Sequence, residues 1–417
     1  MQKDWKQQDY FAALDWATDH HDVIAVDRDG RMVADFLFVH SAAGWTQFDE
    51  VMKAFPECPM AIETSNGPAV DQLLQCQYAV YPVNPKSAAR YRERKVASGY
   101  KTDRQDCWSL AEALRTDGHA WRPLRPQDEV IATLRALCRD EIGLIEQRTA
   151  LFNQLQAALK DNYPVSMEVF EDWTDAYAWA FVRTFPTPQA LRAAGRRKWE
   201  KFLHQHKLWR PQTVERRMQL FARADALPAS PAVVVSKRLL ATSLVAVLET
   251  LQRQLDEYRR RITEVFRNHP DHDLFGSLPG AVPTLGPRLL GGIGSLRSLF
   301  PDAESLMCLA GVSPVSFQRG QTRKAHLHYA CDHFLCYTVY LWVDQSRHYC
   351  RWTQIYYQTK RQEGHSHAVA LRCLGKRWLK ILWRLWQDRQ SYDEARHILS
   401  LKNHGSSVYR QLQGQIA

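Results

Sequence analysis

The sequence lacks several features that would settle its class at once. No two cysteines form a CxxC pair; the nine stand apart at positions 58, 76, 107, 138, 308, 331, 336, 350 and 373. A thiolate zinc site and a thioredoxin-like motif are therefore not expected. Scattered thiols in a long chain point to a reducing, cytoplasmic setting. No uninterrupted run of about 18 apolar residues occurs, so no membrane span is expected. The opening MQKDWKQQDYFAALD carries acids and has no apolar h-region, which argues against a secretory leader. Internal repeats and low-complexity tracts are missing too, so a repeat array is not expected. Acids are outnumbered: 45 Asp+Glu face 55 Lys+Arg, a net charge of +10. Such an excess attracts polyanions before any specific contact forms, and nucleic acid is the expected partner rather than a membrane. What is present is length and core: 417 residues, 45% of them hydrophobic, suffice for two or three domains.

The first stretch alternates strand and helix signals. Phe11 to Asp15 is a short apolar run ending in an acid, and Asp22 to Asp27 is a second strand candidate. The RDGR turn at 28–31 leads into MVADFLFV, a third. PMAIE at 59–63 again ends in an acid, 68–77 reads as helix, and YAVYPV at 78–83 as strand. This predicts an α/β domain with a mixed sheet, ending near residue 125 where WRPLRPQDE supplies two prolines. Helical periodicity then runs over 128–160 and again over roughly 232–268, which predicts a helical hairpin or coiled coil. The Trp-, Arg- and Pro-rich 164–230 between them reads as shorter helices. From 271 a Gly- and Pro-dense stretch opens a third, mostly helical domain, with a basic turn QRGQTRKAH and helices at about 329–360 and 366–388. The expected layout is thus 1–125, 126–270 and 271–417.

Four acids stand out. Asp15 and Glu63 each sit at the carboxyl end of a predicted strand, where open α/β sheets gather functional groups. Asp103 and Asp106 begin a helix that Thr102 can cap, and a spacing of three puts both on one face. Any one such acid is ordinary, because carboxylates favour helix N-termini and loops. Four meeting at one point would repel one another unless divalent cations neutralised them. Hard oxygen donors suit Mg2+ or Mn2+. Two such ions about 4 Å apart can stabilise in-line displacement at a phosphodiester.

The residues around these acids carry a likeness. ALDWATDHHDVIAVDRDGR, AIETSNGP, PVNPKSAARYRERK and KTDRQDCWSLAEAL resemble, in order, the N-terminal half of the DEDD transposases related to the Piv DNA invertase. These are the recombinases of bridge-RNA-guided insertion sequences. The C-terminal half is similar as well: LPG with a following GP, FPDAESLMCLAGVSPVSFQ, YACDHFL, and YYQTKRQEGHSHAVALRCLGKRWLKIL. The likeness covers nearly the whole chain. It implies an RNase H-like (RuvC-like) N-terminal domain with Asp15, Glu63, Asp103 and Asp106 as catalytic, metal-binding residues. It further implies a coiled coil, a C-terminal transposase domain, and a dimer or tetramer acting in the bacterial cytoplasm at the nucleoid. A structured guide RNA would pair with donor and target DNA while the protein reads backbone and shape. The family carries a serine nucleophile in a Gln-Ser-Gly turn. Here the turn reads Gln318-Arg319-Gly320. Arginine stays protonated and cannot attack a phosphate. Ser316 and Thr322 are nearby hydroxyls off the matching position. The likeness therefore leaves open a recombinase, a junction nuclease, or a copy that only binds DNA and RNA.

Other cationic stretches are candidate nucleic-acid contacts. Arg196, Arg197 and Lys198 sit among Trp199, Phe202 and Trp209, a mixture that suits phosphate contact plus base stacking, or else a solvated helix face over a core. Arg323 and Lys324 lie in the basic turn, and Arg372, Lys376 and Arg377 in the last long helix. Histidines at 326, 328, 365 and 367 have no carboxylate partner at ligand spacing and read as surface or phosphate contacts. The LPGAVPTLGP segment reads either as a phosphate-holding helix-hairpin-helix turn or as an ordinary loop.

Overall fold

The N-terminal alternation of apolar residues folds into a sheet with both faces covered. The computed structural model describes residues 5–95, 102–124, 128–170, 172–223, 230–326 and 331–414, and the chain divides into two units, Met1–Gln127 and Asp128–Ala417.

In the first unit β1 (Tyr10–Trp16), β2 (His20–Asp27) and β3 (Met32–Val39) form an antiparallel meander. Asp27 closes the RDGR turn: its carboxylate accepts from the amides of Asp29 (2.9 Å) and Arg31 (2.8 Å), and Gly30 takes the left-handed φ of 83°. Then come α1 (Ala42–Met52), β4 (Met60–Ile62), α2 (Pro68–Gln75), β5 (Val80–Pro82), α3 (Pro85–Lys95) and α4 (Asp103–Asp117). β4 and β5 join in parallel, giving the order β3-β2-β1-β4-β5. The mixed α/β sheet expected from the sequence is present. Because side chains alternate, Ala12, Leu14, Val23 and Ala25 pack on Phe48 and Met52 of α1 and Leu73 of α2. Their neighbours Phe11, Ala13, Ile24 and Val26 pack on Cys107, Leu110 and Leu114 of α4. The sheet is sandwiched between helices, and α4 starts beside the carboxyl end of β1.

The second unit is built on two long helices, α5 (Glu129–Asn162) and, after α6 (Ala176–Thr184), α7 (Pro188–Gln205) and α8 (Pro211–Ala222), α9 (Pro231–Arg267). Cross-links between α5 and α9 run in opposite senses along them: Arg148 Nη1 donates to Gln252 (2.7 Å), Arg259 Nε to Glu141 (3.2 Å), and Lys237 pairs with Asp161 (2.6 Å). The pair is therefore antiparallel. At one end α6, α7 and α8 complete a core with Leu155, Leu159, Trp179, Phe181, Trp199, Leu244 and Leu248. The segment 164–230 holds short helices, as expected.

At the other end lie α10 (His272–Gly276), α11 (Leu285–Ile293), α12 (Ala303–Leu309), the hairpin β6 (Val315–Arg319) and β7 (Thr322–His326), α13 (His333–Tyr349), α14 (Arg351–Gln362), α15 (His367–Asp388), α16 (Glu394–Asn403) and α17 (Ser407–Gly414). Their core centres on Trp342, Trp352, Trp378 and Trp386, packed with Ile131, Leu134 and Ile262 of the long helices. Glu141, 1% exposed, is gripped by Arg288 of α11 at 2.9 Å as well as by Arg259.

Three expectations are corrected here. The basic stretch QRGQTRKAH is a two-stranded hairpin, not a bare turn, with Arg319 opposite Thr322 across Gly320-Gln321. The helix expected over 329–360 breaks at Cys350, whose extended backbone (φ −138°, ψ 118°) separates α13 from α14. The expectation of no membrane-length apolar helix also fails by composition: α9 contains an 18-residue window of mean hydropathy 1.6, of which 22% is buried. Lys237 and Arg238 interrupt that stretch, which is why a search for an unbroken run passes over it. Lys237 is tied to Asp161, and Ala241, Leu244, Val245 and Leu248 belong to the protein core.

Candidate active site

The parallel pairing of β1 with β4 sets Leu14 opposite Ile62, so Asp15 and Glu63 follow side by side at the carboxyl edge of the sheet. α4 delivers the other two acids. Its start is defined by Thr102, whose hydroxyl accepts from the Gln105 amide at 3.2 Å, so Asp103 and Asp106 occupy the first turn. One residue on, the Cys107 thiol donates to the carbonyls of Ala13 (3.1 Å) and Asp22 (3.4 Å). That contact clamps the first turn of α4 onto β1 and β2.

Electrostatics records the result. Burial pushes the Asp15 carboxyl from its ordinary 3.8 up to about 7, with repulsion from Asp103, Glu63, Asp106 and Asp22 adding in that order. All four acids singled out from the sequence share one electrostatic neighbourhood. Their side chains are not gathered around a common point: among the described residues no group of three or more His, Cys, Asp or Glu is arranged to hold a metal ion. Asp106 is held by a cation of the chain itself. Arg92 Nη1 donates to both of its oxygens, at 2.8 and 2.9 Å. Hard carboxylate oxygens are the donor type that Mg2+ and Mn2+ prefer, but the arrangement of these four does not form a ligand set, and one of them is taken up by Arg92.

Two charged neighbours are invisible to motif reading. Asp22 lies directly across the β1–β2 ladder from Asp15. Burial raises its carboxyl and Asp103 and Asp35 push further, while His20 opposes them. Like charges facing across a ladder are unfavourable, and only the register reveals this pair. Arg92, in the middle of PKSAARYRERK, looks like one of several solvated cations until its partner is known.

The remaining candidates lie in the second unit. Arg319 is exposed, as is Thr322 opposite it. The side chains of Ser316, Arg323 and Lys324 lie outside the described residues. Arg196, Arg197 and Lys198 are exposed, with Arg196 paired to Glu200 at 2.8 Å. Trp199 and Phe202 between them are core residues, 0% and 5% exposed, so they offer no stacking platform. Trp209 stays partly exposed, stacked on His204 at 4.4 Å. On α15, Arg377 lies over the Tyr356 ring at 4.4 Å, while Arg372 and Lys376 are half-buried. The Gly-Pro segment before α11 is packed inward: the Gly286 amide donates to the Ala281 carbonyl at 2.6 Å, and Gly286 and Pro287 are buried.

Comparison with known proteins identifies a family. A transposase family model, the DEDD type of IS110, matches residues 12–164, a span that includes all four acids. A second, described as transposase IS116/IS110/IS902 family, matches 272–358, including the hairpin and α13. The mini-circle putative transposase for IS117 of Streptomyces coelicolor is 31% identical over 93% of this chain and 96% of its own. The chain belongs to the IS116/IS110/IS902 family of transposases. Other members are similar over most of their length. The insertion element IS116 44.8 kDa protein of Streptomyces clavuligerus is 27% identical over 92% of this chain and 96% of its own. The insertion element IS900 42 kDa protein of Mycobacterium paratuberculosis is 28% identical over 71% and 73%. In this family member the sheet-edge acids fall inside the first matched region, and Arg319 inside the second.

Proposed function

We propose that this chain is an RNA-guided DNA recombinase of a mobile element. Its N-terminal unit is read as an RNase H-like, RuvC-like domain, a reading that the 3-2-1-4-5 mixed sheet supports. Asp15, Glu63, Asp103 and Asp106 are assigned as the catalytic, metal-binding tetrad. The observation that carries this is the electrostatic neighbourhood the four acids share, in which burial first and the repulsion of Asp103, Glu63 and Asp106 next raise Asp15 to about 7. Carboxyls shifted this strongly by burial and by one another tend to cluster at functional sites.

Mg2+ or Mn2+, when bound, would polarise the scissile phosphodiester and stabilise the charge of displacement. The chain's own part is positional. β1 and β4 hold Asp15 and Glu63 side by side on neighbouring strands, and the Cys107 clamp fixes the first turn of α4 against them. A structured guide RNA would choose the DNA by base pairing. The long antiparallel helices would act as a coiled coil in a dimer or tetramer, between a catalytic region 1–125 and a transposase region 271–417. Exposed Arg196, Arg197 and Lys198 and half-buried Arg372, Lys376 and Arg377, together with Arg323 and Lys324, would contact phosphates.

One observation favours a second reading. Arg319 occupies the position of the serine that would form the covalent link to DNA. A junction nuclease needs only water as nucleophile and leaves hydrolysed ends. Binding without chemistry is the third outcome. Purified protein is incubated with the RNA flanking its gene, a DNA junction carrying the element ends, and Mg2+. The proposal expects DNA strands broken in a metal-dependent way, and loss of breakage in Asp15→Asn. Joined product marks the recombinase and hydrolysed ends the nuclease. Breakage indifferent to Asp15→Asn, or salt-sensitive binding with no breakage, contradicts the assignment.

A further inference from the structure

Three helices of the second unit, α13, α14 and α15, carry a row of aromatic side chains that the core does not use. Tyr337 and Tyr340 stand about one turn apart on α13, 49% and 37% exposed. The row continues through His367 at the start of α15, edge-on to Tyr340 at 6.2 Å, and through Tyr357 of α14, edge-on to His367 at 5.8 Å. Tyr357 Oη and His367 Nδ1 share a hydrogen bond of 2.8 Å, and the Arg347 guanidinium lies 4.1 Å from the centre of the Tyr357 ring. One end of the row is thus held in place, while the Tyr337 and Tyr340 rings face solvent. Charge around it is one-sided. From His333 to Asp388 nine Lys or Arg stand against three acids. Each acid is already paired on these helices: Asp344 with Arg347, Glu363 with Lys360 at 2.5 Å, and Asp388 with Arg384 at 2.7 Å. Exposed tyrosines also suit protein interfaces, but the centre of such an interface is depleted of charge. Open rings among surplus cations fit a single nucleic-acid strand, whose phosphates meet the cations and whose bases stack on the rings. A duplex keeps its base faces stacked inside and offers the rings nothing.

We propose that Tyr337, Tyr340 and His367 form a stacking platform for unpaired RNA bases. This rests on the guide-RNA reading above and names the surface that would take such an RNA. RNA is the source because a folded RNA displays loops and bulges whose bases are free to splay onto aromatic side chains. Its 2′-hydroxyls can also bond to the tyrosine hydroxyls and the imidazole of the row, which deoxyribose cannot do. Rings already fixed by their neighbours lose little freedom on binding, which favours affinity. The platform holds RNA and takes no part in the chemistry on DNA.

The test is fluorescence anisotropy on the full-length protein with labelled strands of about 12 nucleotides: oligoadenylate RNA, an abasic strand with the same phosphates, and oligodeoxyadenylate. The RNA flanking the gene serves as a further probe. The parent is compared with Tyr337→Ala plus Tyr340→Ala, and with Tyr337→Phe plus Tyr340→Phe, each checked for an unchanged melt. The parent should bind oligoadenylate RNA about tenfold more tightly than the abasic strand, and the alanine pair should lose that tenfold. The salt dependence should stay as in the parent, because phosphate contacts set it and ring contacts do not. The phenylalanine pair, which keeps the rings, should bind within a few-fold of the parent. If the parent binds the flanking RNA but the alanine pair binds oligoadenylate equally well, or the parent binds no oligoadenylate, the platform is refuted and the guide-RNA reading survives. Deoxy strands bound as tightly as RNA and lost equally in the alanine pair would assign the row to DNA. Altered sedimentation of the RNA-free alanine pair would assign it to a contact between copies. Either result overturns the proposal. A parent that binds neither the flanking RNA nor oligoadenylate removes the guide-RNA reading and this inference with it.

Discussion

Replacing Asp15 with asparagine should make the metal-free protein more stable while abolishing its chemistry. Asp15 is pushed from 3.8 to about 7 by burial first and by its acidic neighbours second. A carboxyl with a raised folded value keeps its proton in the native state at pH values where the unfolded chain has lost it. Native protein then binds more protons, and stability falls as pH rises. The penalty is absent below about 4, grows between about 4 and 7, and is complete above 7. The span from 3.8 to about 7, at about 1.4 kcal/mol per pH unit, gives roughly 4 kcal/mol as a ceiling. Solvent reaches part of this group, and screening reduces the figure to about 2 kcal/mol. Asparagine keeps the shape and removes the charge. Urea unfolding in EDTA at 25 °C should therefore show Asp15→Asn about 2 kcal/mol more stable at pH 8, and by well under half of that at about pH 4. Added Mn2+ should stabilise the parent and leave the variant unmoved. A variant no more stable than the parent at pH 8, or a gap of equal size at both pH values, would refute the reasoning.

Further predictions concern the second unit. Glu141→Ala leaves Arg288, 4% exposed, as a buried charge without its partner; a loss of about 3–5 kcal/mol is expected in urea unfolding. Trp199→Ala should cost about 3–5 kcal/mol through the cavity it leaves, with RNA affinity of the folded fraction unchanged in filter binding. Arg197→Ala together with Lys198→Ala should do the reverse, lowering the salt dependence of nucleic-acid binding by about two phosphate contacts with the melt unchanged. Arg319→Ser should yield an SDS-stable protein–DNA adduct if this hairpin position carries the nucleophile; hydrolysed ends without adduct would argue for water.

The parts of the fold legible from sequence are those governed by local periodicity. β1 to β3 show apolar alternation broken by an Asp-Gly turn, and α5 and α9 repeat apolar residues over more than thirty positions. Thr102 announces α4 because a cap is a local device. The hairpin β6–β7 is hard to read because its strands are only five residues long and TRKAH carries no apolar alternation. The break at Cys350 carries neither proline nor glycine, and the backbone turns there for reasons of packing: Trp352 and Thr353 are 0% exposed just beyond it. At the site, the acids were legible because strand ends and helix starts mark them. Their neighbours were not. Asp22 acquires meaning only from the register that sets it against Asp15, and Arg92 only from a bond spanning fourteen residues between two helices. Cations interleaved with aromatics at 192–217 fit either a core face or a stacking surface, and burial of Trp199 and Phe202 decides for the core.

The most direct test of the acidic tetrad is anomalous diffraction from crystals soaked in Mn2+. The account predicts a peak at the carboxyl edge of the sheet, within coordination distance of Asp15 and Glu63. A peak bound by other residues, or none at a Mn2+ concentration that supports strand breakage in solution, would contradict it.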